Sequence, residues 1–283
     1  MAVAACNSPA VPTEPPPFEP PPASTGVLVG AGDIARCGSA GMALTAEILD
    51  GIAGTVFTAG DNAYMSGTVQ ELAECYDPHW GRHKHRTRPV AGNHDYESAG
   101  AAPYYAYFGA NAGPAGDGYY SYTVGPWLIL ALNSEIPHGT GTRQLFWLRE
   151  QLTGFRGKCA AAIWHRPLFT SGPNLDNPDM RDVWQVLYDF DVDVVINGHD
   201  HLYERFAPQD PQGRLDVARG LRQFTVGTGG VPLYQLGSVH ANSEALAAAW
   251  GVMVFTLSSA GYQWEFKPAT GFTFTDVGTG QCH

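Results

Sequence analysis

The chain lacks the features that would send it into a membrane or onto a nucleic acid. No apolar run reaches the ~18 residues of a spanning helix. Basic residues are scarce: 16 Lys and Arg stand against 27 Asp and Glu, a formal net charge of −11. A bulk polyanion binder needs the opposite balance, so nucleic acid is not expected as a bulk partner. Cysteine is limited to five residues, none in C-x-x-C spacing, which argues against a thiolate metal site. No internal repeat is visible, so a solenoid is not expected.

What is present suits a folded enzyme. Hydrophobic residues make up 44% of 283, and setting aside the first two dozen leaves enough chain for one large α/β domain with a buried core. Gly 34 and Pro 21 imply many turns and loops, where functional residues concentrate. The beginning reads Val3-Ala4-Ala5-Cys6, followed by a proline-dense stretch to Pro22. That box is similar to the processing site of bacterial lipoproteins. Cys6 is then a lipid anchor on a secreted or cell-surface protein, or the match is chance, since a basic start and a long apolar stretch do not precede it. Residues 1–24 are read as this start plus a semi-rigid proline-rich linker. Cys37, Cys75, Cys159 and Cys282 allow three pairings. Cys37–Cys75 and Cys159–Cys282 are favoured, because each couples a strand-end loop to a neighbouring segment; buried free thiols are the alternative.

Along the chain, short apolar runs read as strands. They include Val27–Val29, Thr55–Thr58, Ala160–Trp164 and Asp193–Ile196, with Tyr119–Val124 and Trp127–Leu132 paired around Gly125-Pro126. Helices are expected from about Ser39, as cap, to Leu49, from Arg143 to Leu152 and from Met180 to Phe190. Strands and glycine turns alternate from about Leu221 to Phe274. Five times a strand runs out and a residue able to bind metal follows: Asp33, Asp61, Asn93, His165 and His199. Ligands of α/β sheets bind outside the carboxyl ends of the strands, so five such loops on one edge converge on a site.

With Tyr64 and His201 added, the set offers carboxylate, phenolate, amide oxygen and imidazole. That mixture suits first-row metals such as Fe, Zn and Mn, whereas calcium takes oxygens alone. Seven ligands exceed one tetrahedral ion and fit two ions sharing a carboxylate. Two ions ~3.5–4 Å apart clamp the attacking and leaving oxygens of a displacement at phosphorus. If the segment is extended at His199 and His201, both rings leave on the same side; if the loop bends, each can serve a different metal. His94 points away from Asn93 and is placed to face substrate, as charge stabiliser or proton donor.

Five motifs carry a family resemblance: Gly32-Asp33, Gly60-Asp61-Asn62-Ala63-Tyr64, Gly92-Asn93-His94-Asp95, His165-Arg166-Pro167 and Gly198-His199-Asp200-His201. In this order they resemble the calcineurin-like metallophosphoesterases. Tyr64, Gly198 to Arg205 and Gly227-Thr228-Gly229-Gly230 look most like the purple acid phosphatase branch. The resemblance implies an α/β fold for residues 25–283, a β-sandwich of mixed sheets flanked by helices forming the catalytic domain. It implies Asp33, Asp61, Tyr64 and His201 on one metal, Fe(III). Asp61, Asn93, His165 and His199 then hold a second, Zn, Mn or Fe(II), with Asp61 bridging. The implied activity is hydrolysis of small phosphomonoesters through a metal-held hydroxide, with His94 catalytic; a phosphodiesterase or broader phosphate-ester hydrolase is the alternative. A non-catalytic module on the same fold should have lost ligands, and none is missing here.

Two departures stand out. Ala35 occupies the position two after Asp33 where many relatives carry histidine, which favours Tyr64 as ligand. Leu168 to Gly172 lacks the histidines that purple acid phosphatases often place there, leaving substrate range and acid optimum open. Blander readings apply elsewhere. Asp95 either orients His94 or caps the next turn. Arg82-His83-Lys84-His85-Arg86 is a phosphate patch or, more in keeping with charge runs, a solvated face. Tyr104, Tyr105, Tyr107 and Phe108 pack or wall the pocket. Arg166 touches substrate or serves the strand edge, and His138 is assigned no role.

Overall fold

The protein is represented by a computed structural model that describes residues 25–283. The lipoprotein-like start, Cys6 and the proline-rich linker lie outside the described residues. Two large sheets face each other. The first has six strands in the order Val277–Gln281, Gly261–Pro268, Gly251–Leu257, Gly26–Ala31, Thr55–Ala59, Thr87–Val90. The second has seven, in the order Ser243–Ala247, Tyr203–Phe206, Arg222–Val226, Val194–Asn197, Ala160–Ile163, Trp127–Ala131, Tyr120–Val124. Gly26–Ala31, Thr55–Ala59 and Thr87–Val90 run parallel. So do the four strands from Trp127–Ala131 to Arg222–Val226, while the remaining ladders of both sheets are antiparallel.

The apolar runs are continuous because these central strands are covered on both faces. Side chains alternate in direction along a strand. Leu28, Phe57, Phe255 and Phe266 of the first sheet point into the layer between the sheets, facing Ile129, Ile163, Ile196 and Phe224 of the second. Their neighbours Val29 and Val56 point outward onto the helix Gly41–Asp50. Leu128, Leu130, Ala162 and Val195 point outward from the second sheet, onto the helices Arg143–Gly154 and Arg181–Asp189. The result is a four-layer α/β sandwich, the expected mixed-sheet fold flanked by helices.

The helices follow their sequence signals closely. Thr142 caps Arg143–Gly154, accepting from Leu145 N, and Leu145, Leu148 and Leu152 bury one face. Val183, Trp184, Val186 and Leu187 do the same for Arg181–Asp189. Ser39 departs from expectation. The assigned cap position of Gly41–Asp50 is Ala40, one residue later; Ser39 Oγ still accepts from Gly41 N at 3.3 Å and also donates to Gly230 O at 2.5 Å, tying the helix entry to a later glycine loop. The basic run Arg82–Arg86 is structural. Arg82 pairs with Asp50 at 2.7 Å, and Arg86 donates to the carbonyls of Leu49 and Gly54 at 2.8 Å, closing the carboxyl end of that helix. The aromatics pack as well: Tyr104 and Phe108 are buried, and Tyr104 donates to Pro89 O at 3.1 Å.

Both favoured disulfides are present, with Cα separations of 5.2 Å for Cys37–Cys75 and 5.4 Å for Cys159–Cys282. Cys159 enters a strand of the second sheet and Cys282 leaves the last strand of the first, so this bridge staples the sheets together. It closes a span of 123 residues, and removing such a cross-link widens the unfolded ensemble. Cys159→Ala with Cys282→Ala is therefore expected to lower the unfolding free energy by about 2–5 kcal/mol, read from the denaturant midpoint. An unchanged midpoint contradicts the stapling role.

Candidate metal centre

Every parallel strand near the middle of the sandwich delivers a polar residue to one rim. Asp33, Asp61 and Asn93 follow the strands Gly26–Ala31, Thr55–Ala59 and Thr87–Val90; His165 and His199 follow Ala160–Ile163 and Val194–Asn197. The turns are tight. Asp33, Asp61 and His199 have φ of 59°, 52° and 72°, a left-handed conformation that non-glycine residues seldom adopt. Backbone hydrogen bonds hold it: Asp33 N to Gly60 O at 3.0 Å, Ile34 N to Asp61 O at 3.0 Å and Val231 N to Asp33 O at 3.2 Å. A Cβ on Gly60 would strike the His165 ring, and one on Gly92 would strike the Asp61 carboxylate, so both must be glycine. A short parallel pairing, Ala35–Arg36 with Ala63–Tyr64, swings Tyr64 back beside the first loop.

Seven side chains meet there, in two groups. In the first, Tyr64 Oη lies 2.6 Å from Asp33 Oδ1, 2.8 Å from Asp61 Oδ2 and 3.3 Å from His201 Nε2, and His201 Nε2 lies 3.4 Å from Asp33 Oδ1. In the second, His165 Nε2 lies 3.1 Å from Asp61 Oδ2, 3.1 Å from Asn93 Oδ1 and 3.2 Å from His199 Nδ1. Asp61 Oδ2 belongs to both. Adjacent donors on a first-row cation stand roughly 3 Å apart when each bond is about 2.1 Å, so both groups have the edge lengths of a coordination shell. The rings are already oriented: His165 Nδ1 meets Ala59 O at 2.8 Å and His201 Nδ1 meets Pro232 O at 2.9 Å. Each pairing fixes the tautomer and leaves Nε2 facing inward, as metal-binding histidines require. The donor set therefore fits two cations.

The electrostatics of the side chains themselves agree with that fit. Burial disfavours the charged form of His165, but the Asp61 carboxylate overrides it and pushes His165 up to about 10. Burial likewise opposes ionisation of Asp61, yet His165 holds it well below the usual carboxylate range. Burial, then the charges of His165 and Arg166, pull His199 down to about 3. Burial, with Asp33 and Asp61 beside it, holds Tyr64 as a neutral phenol. A proton on His165 thus occupies the position a cation would take.

The family model described as calcineurin-like phosphoesterase matches residues 28–203, a span that takes in all seven donors. The chain belongs to the calcineurin-like phosphoesterase family. Purple acid phosphatase 15 of Arabidopsis thaliana is 27% identical over 170 residues, covering 52% of this chain and 32% of its own length. The chain spans about a third of the length of the curated relatives it matches. Among solved structures, the purple acid phosphatase PPD1 from yellow lupin seeds superposes with a TM-score of 0.81 at 19% identity, over 91% of this chain and 54% of that one. GAP50, described as the anchor in the inner membrane complex of Plasmodium, gives 0.69 at 15% identity, over 92% and 89%. At these identities the two structures show a shared fold.

Around this cluster, the remaining sequence candidates take definite places. His94 Nδ1 meets Met65 O at 2.6 Å, and its Nε2 lies 4.0 Å from Asp61 Oδ2 on a ring 25% exposed. Asp95 does not touch that ring. It caps the turn Asn93–Tyr96, accepting from Gly92 N at 2.9 Å, and clamps Asn62 through Nδ2 at 3.0 Å. His199 and His201 do not sit on an extended segment, because the left-handed turn at His199 sends the two rings to different donor groups. Sequence reasoning missed Asn133, Ser134 and Glu135. They follow the strand Trp127–Ala131 as the other loops follow theirs, so the same strand-end rule points to them.

Cation binding at His165 Nε2 must expel a proton that Asp61 retains up to about pH 10. Zinc affinity of the metal-stripped protein is expected to rise by about tenfold per pH unit between 6.5 and 8.5, measured by chelator competition. Affinity that levels off above pH 7, as for an ordinary histidine, contradicts the assignment.

Proposed function

We propose that this family member is a binuclear metal-dependent phosphatase acting on phosphomonoesters. The observation that carries the reading is one carboxylate oxygen, Asp61 Oδ2, shared by two sets of donors at coordination spacing. Asp33, Asp61, Tyr64 and His201 would hold Fe(III), which suits a phenolate; Asp61, Asn93, His165 and His199 would hold Zn, Mn or Fe(II). When bound, the two ions supply an acidified water and offset the negative charge of the phosphate.

The chain's own groups do the rest. Asp61 Oδ1 accepts from His94 N at 2.8 Å, and Asp33 Oδ2 accepts from His199 N at 2.8 Å, so each carboxylate presents its other oxygen inward. His94, held at Nδ1, keeps its Nε2 4.0 Å from Asp61 Oδ2 on a partly exposed ring, where it can donate to a phosphoryl oxygen or to the leaving alcohol. The two disulfides support an oxidising compartment, secreted or at the cell surface. Among the described residues no helix is long and apolar enough to cross a membrane.

His199→Ala is expected to lower metal content and cut p-nitrophenyl phosphate turnover by more than about 100-fold. His94→Asn is expected to keep both metals and lower kcat about 10²–10⁴-fold. Full activity in either variant rejects the assignment, and faster turnover of bis-p-nitrophenyl phosphate than of the monoester moves the reading to a diesterase. Protein expressed with iron is expected to be pink or purple through charge transfer from Tyr64, with Tyr64→Phe colourless. A colourless wild-type protein carrying two zinc or manganese ions per chain removes Fe(III) from the proposal.

A further inference from the structure

A cavity of about 290 Å³ adjoins the centre, bordered by Ser134, His138, Arg166, Asn174 and His199 among others. Its cationic member is Arg166, the residue after His165. The guanidinium is not free to swing: Arg166 Nε donates to Glu135 Oε1 and Oε2 at 3.0 and 3.1 Å, and Glu135 is itself nearly buried. Ser134 Oγ, at 2.8 Å from Glu135 Oε1, and Asn133 Oδ1, accepting from Glu135 N at 3.0 Å, fix the carboxylate in turn. This chain of contacts consumes Nε and leaves the two terminal nitrogens for other acceptors. Among the described residues none accepts from Nη2, and Nη1 meets only His199 Nε2, at 3.3 Å.

That last contact cannot persist once the centre is filled. His199 faces the donor cluster with Nδ1, 3.2 Å from His165 Nε2. When Nδ1 is coordinated, the one remaining proton of the neutral imidazole sits on Nε2. Nε2–H and the guanidinium N–H groups are then all donors, crowded at one point and without an acceptor. Metal-binding histidines normally give this outward N–H to a carboxylate, a carbonyl or water; here the neighbour has the wrong polarity. Two convergent donors, one of them a fixed planar cation, make a site for an anionic oxygen. Asp176 and Asp179 also border the cavity, but both are exposed, where water screens them, and Asp176 already accepts from Thr170 N at 2.9 Å.

We infer that the space between Arg166 and His199 seats an anionic phosphate oxygen of the bound substrate, with Glu135 as the residue that positions Arg166. The inference rests on the two-ion reading, because filling the centre is what turns His199 Nε2 into a donor. The oxygen belongs either to the phosphoryl group at the centre or to a second phosphate on the leaving group.

The test is calorimetric titration of orthophosphate and of pyrophosphate into zinc-loaded protein, after free zinc is removed and bound zinc is counted. Arg166→Gln is expected to retain full zinc and to bind one or both anions 10–100-fold more weakly. Loss for both places the seat under the phosphoryl group; loss for pyrophosphate alone places it under a second phosphate. Arg166→Lys, which keeps the charge without the planar fork, recovers part of the affinity, and Glu135→Gln gives a smaller loss than Arg166→Gln. Full zinc with both affinities within twofold of the parent overturns the inference. So does loss of zinc in Arg166→Gln, which makes Arg166 a prop for His199. A parent protein that takes up no zinc defeats the two-ion reading itself and the seat with it, and the zinc count identifies that outcome before any anion is added.

Discussion

Two carboxylates with almost no contact with water, Asp33 at 0% and Asp61 at 1% exposure, meet around one phenol oxygen. Buried charges of like sign are costly unless something positive stands between them. The rest of the rim can be read as an answer to that demand. Backbone N–H groups of His94 and His199 take the outer oxygens, and His165 and His201 bring imidazoles to the inner ones. Protons satisfy the pocket imperfectly. A proton on His165 neutralises Asp61 but leaves Tyr64 protonated and His199 pushed far below its ordinary range. Divalent or trivalent charge satisfies all seven groups together.

The sandwich makes such a concentration of polar groups tolerable. Asp33, Asp61, Asn93, His165 and His199 come from the ends of central strands of both sheets, so their positions are set by packing that cannot yield without opening a core. The glycine loop after Arg222–Val226 closes the arrangement. Gly229 N donates to Gly32 O at 2.8 Å, Gly229 O accepts from Thr45 Oγ1 at 2.6 Å, and Trp80 Nε1 reaches the same hydroxyl at 3.0 Å. The first aspartate loop is thereby fixed to a helix, a buried tryptophan and the opposite sheet.

Much of this was legible in the sequence. Strand ends followed by Asp, Asn or His gave five of the seven candidate donors, and local spacing after Asp61 and His199 added Tyr64 and His201. Periodicity located the flanking helices to within two residues at most boundaries. Features that depend on spatial meetings were not legible. Nothing in the spacing of Ala35 and Ala63 says that they pair, yet that pairing delivers Tyr64. Ser39 meets Gly41 N at the helix start, but nothing local says that the same hydroxyl also reaches a carbonyl 191 residues later. The left-handed turn at His199 hides behind an ordinary strand pattern, so the spacing alone left open whether the two rings share a side or part, and the bend is what parts them. Glu135 offered a signal, a polar residue beyond a parallel strand, but its partner Arg166 is 31 residues away and follows a different strand.

The backbone at Asp33 and Asp61 carries a consequence for how such a protein changes over generations. Aspartate and asparagine are the side-chain-bearing residues that enter left-handed turns most readily. A single-nucleotide exchange of either aspartate for asparagine removes the negative charge while leaving the turn in its preferred shape. Chemistry and scaffold can therefore part company in one step: a descendant can keep the whole sandwich, fold well and lose the negative charge on which cation binding would depend. Within this architecture, inheriting the shape is no guarantee of inheriting the reaction.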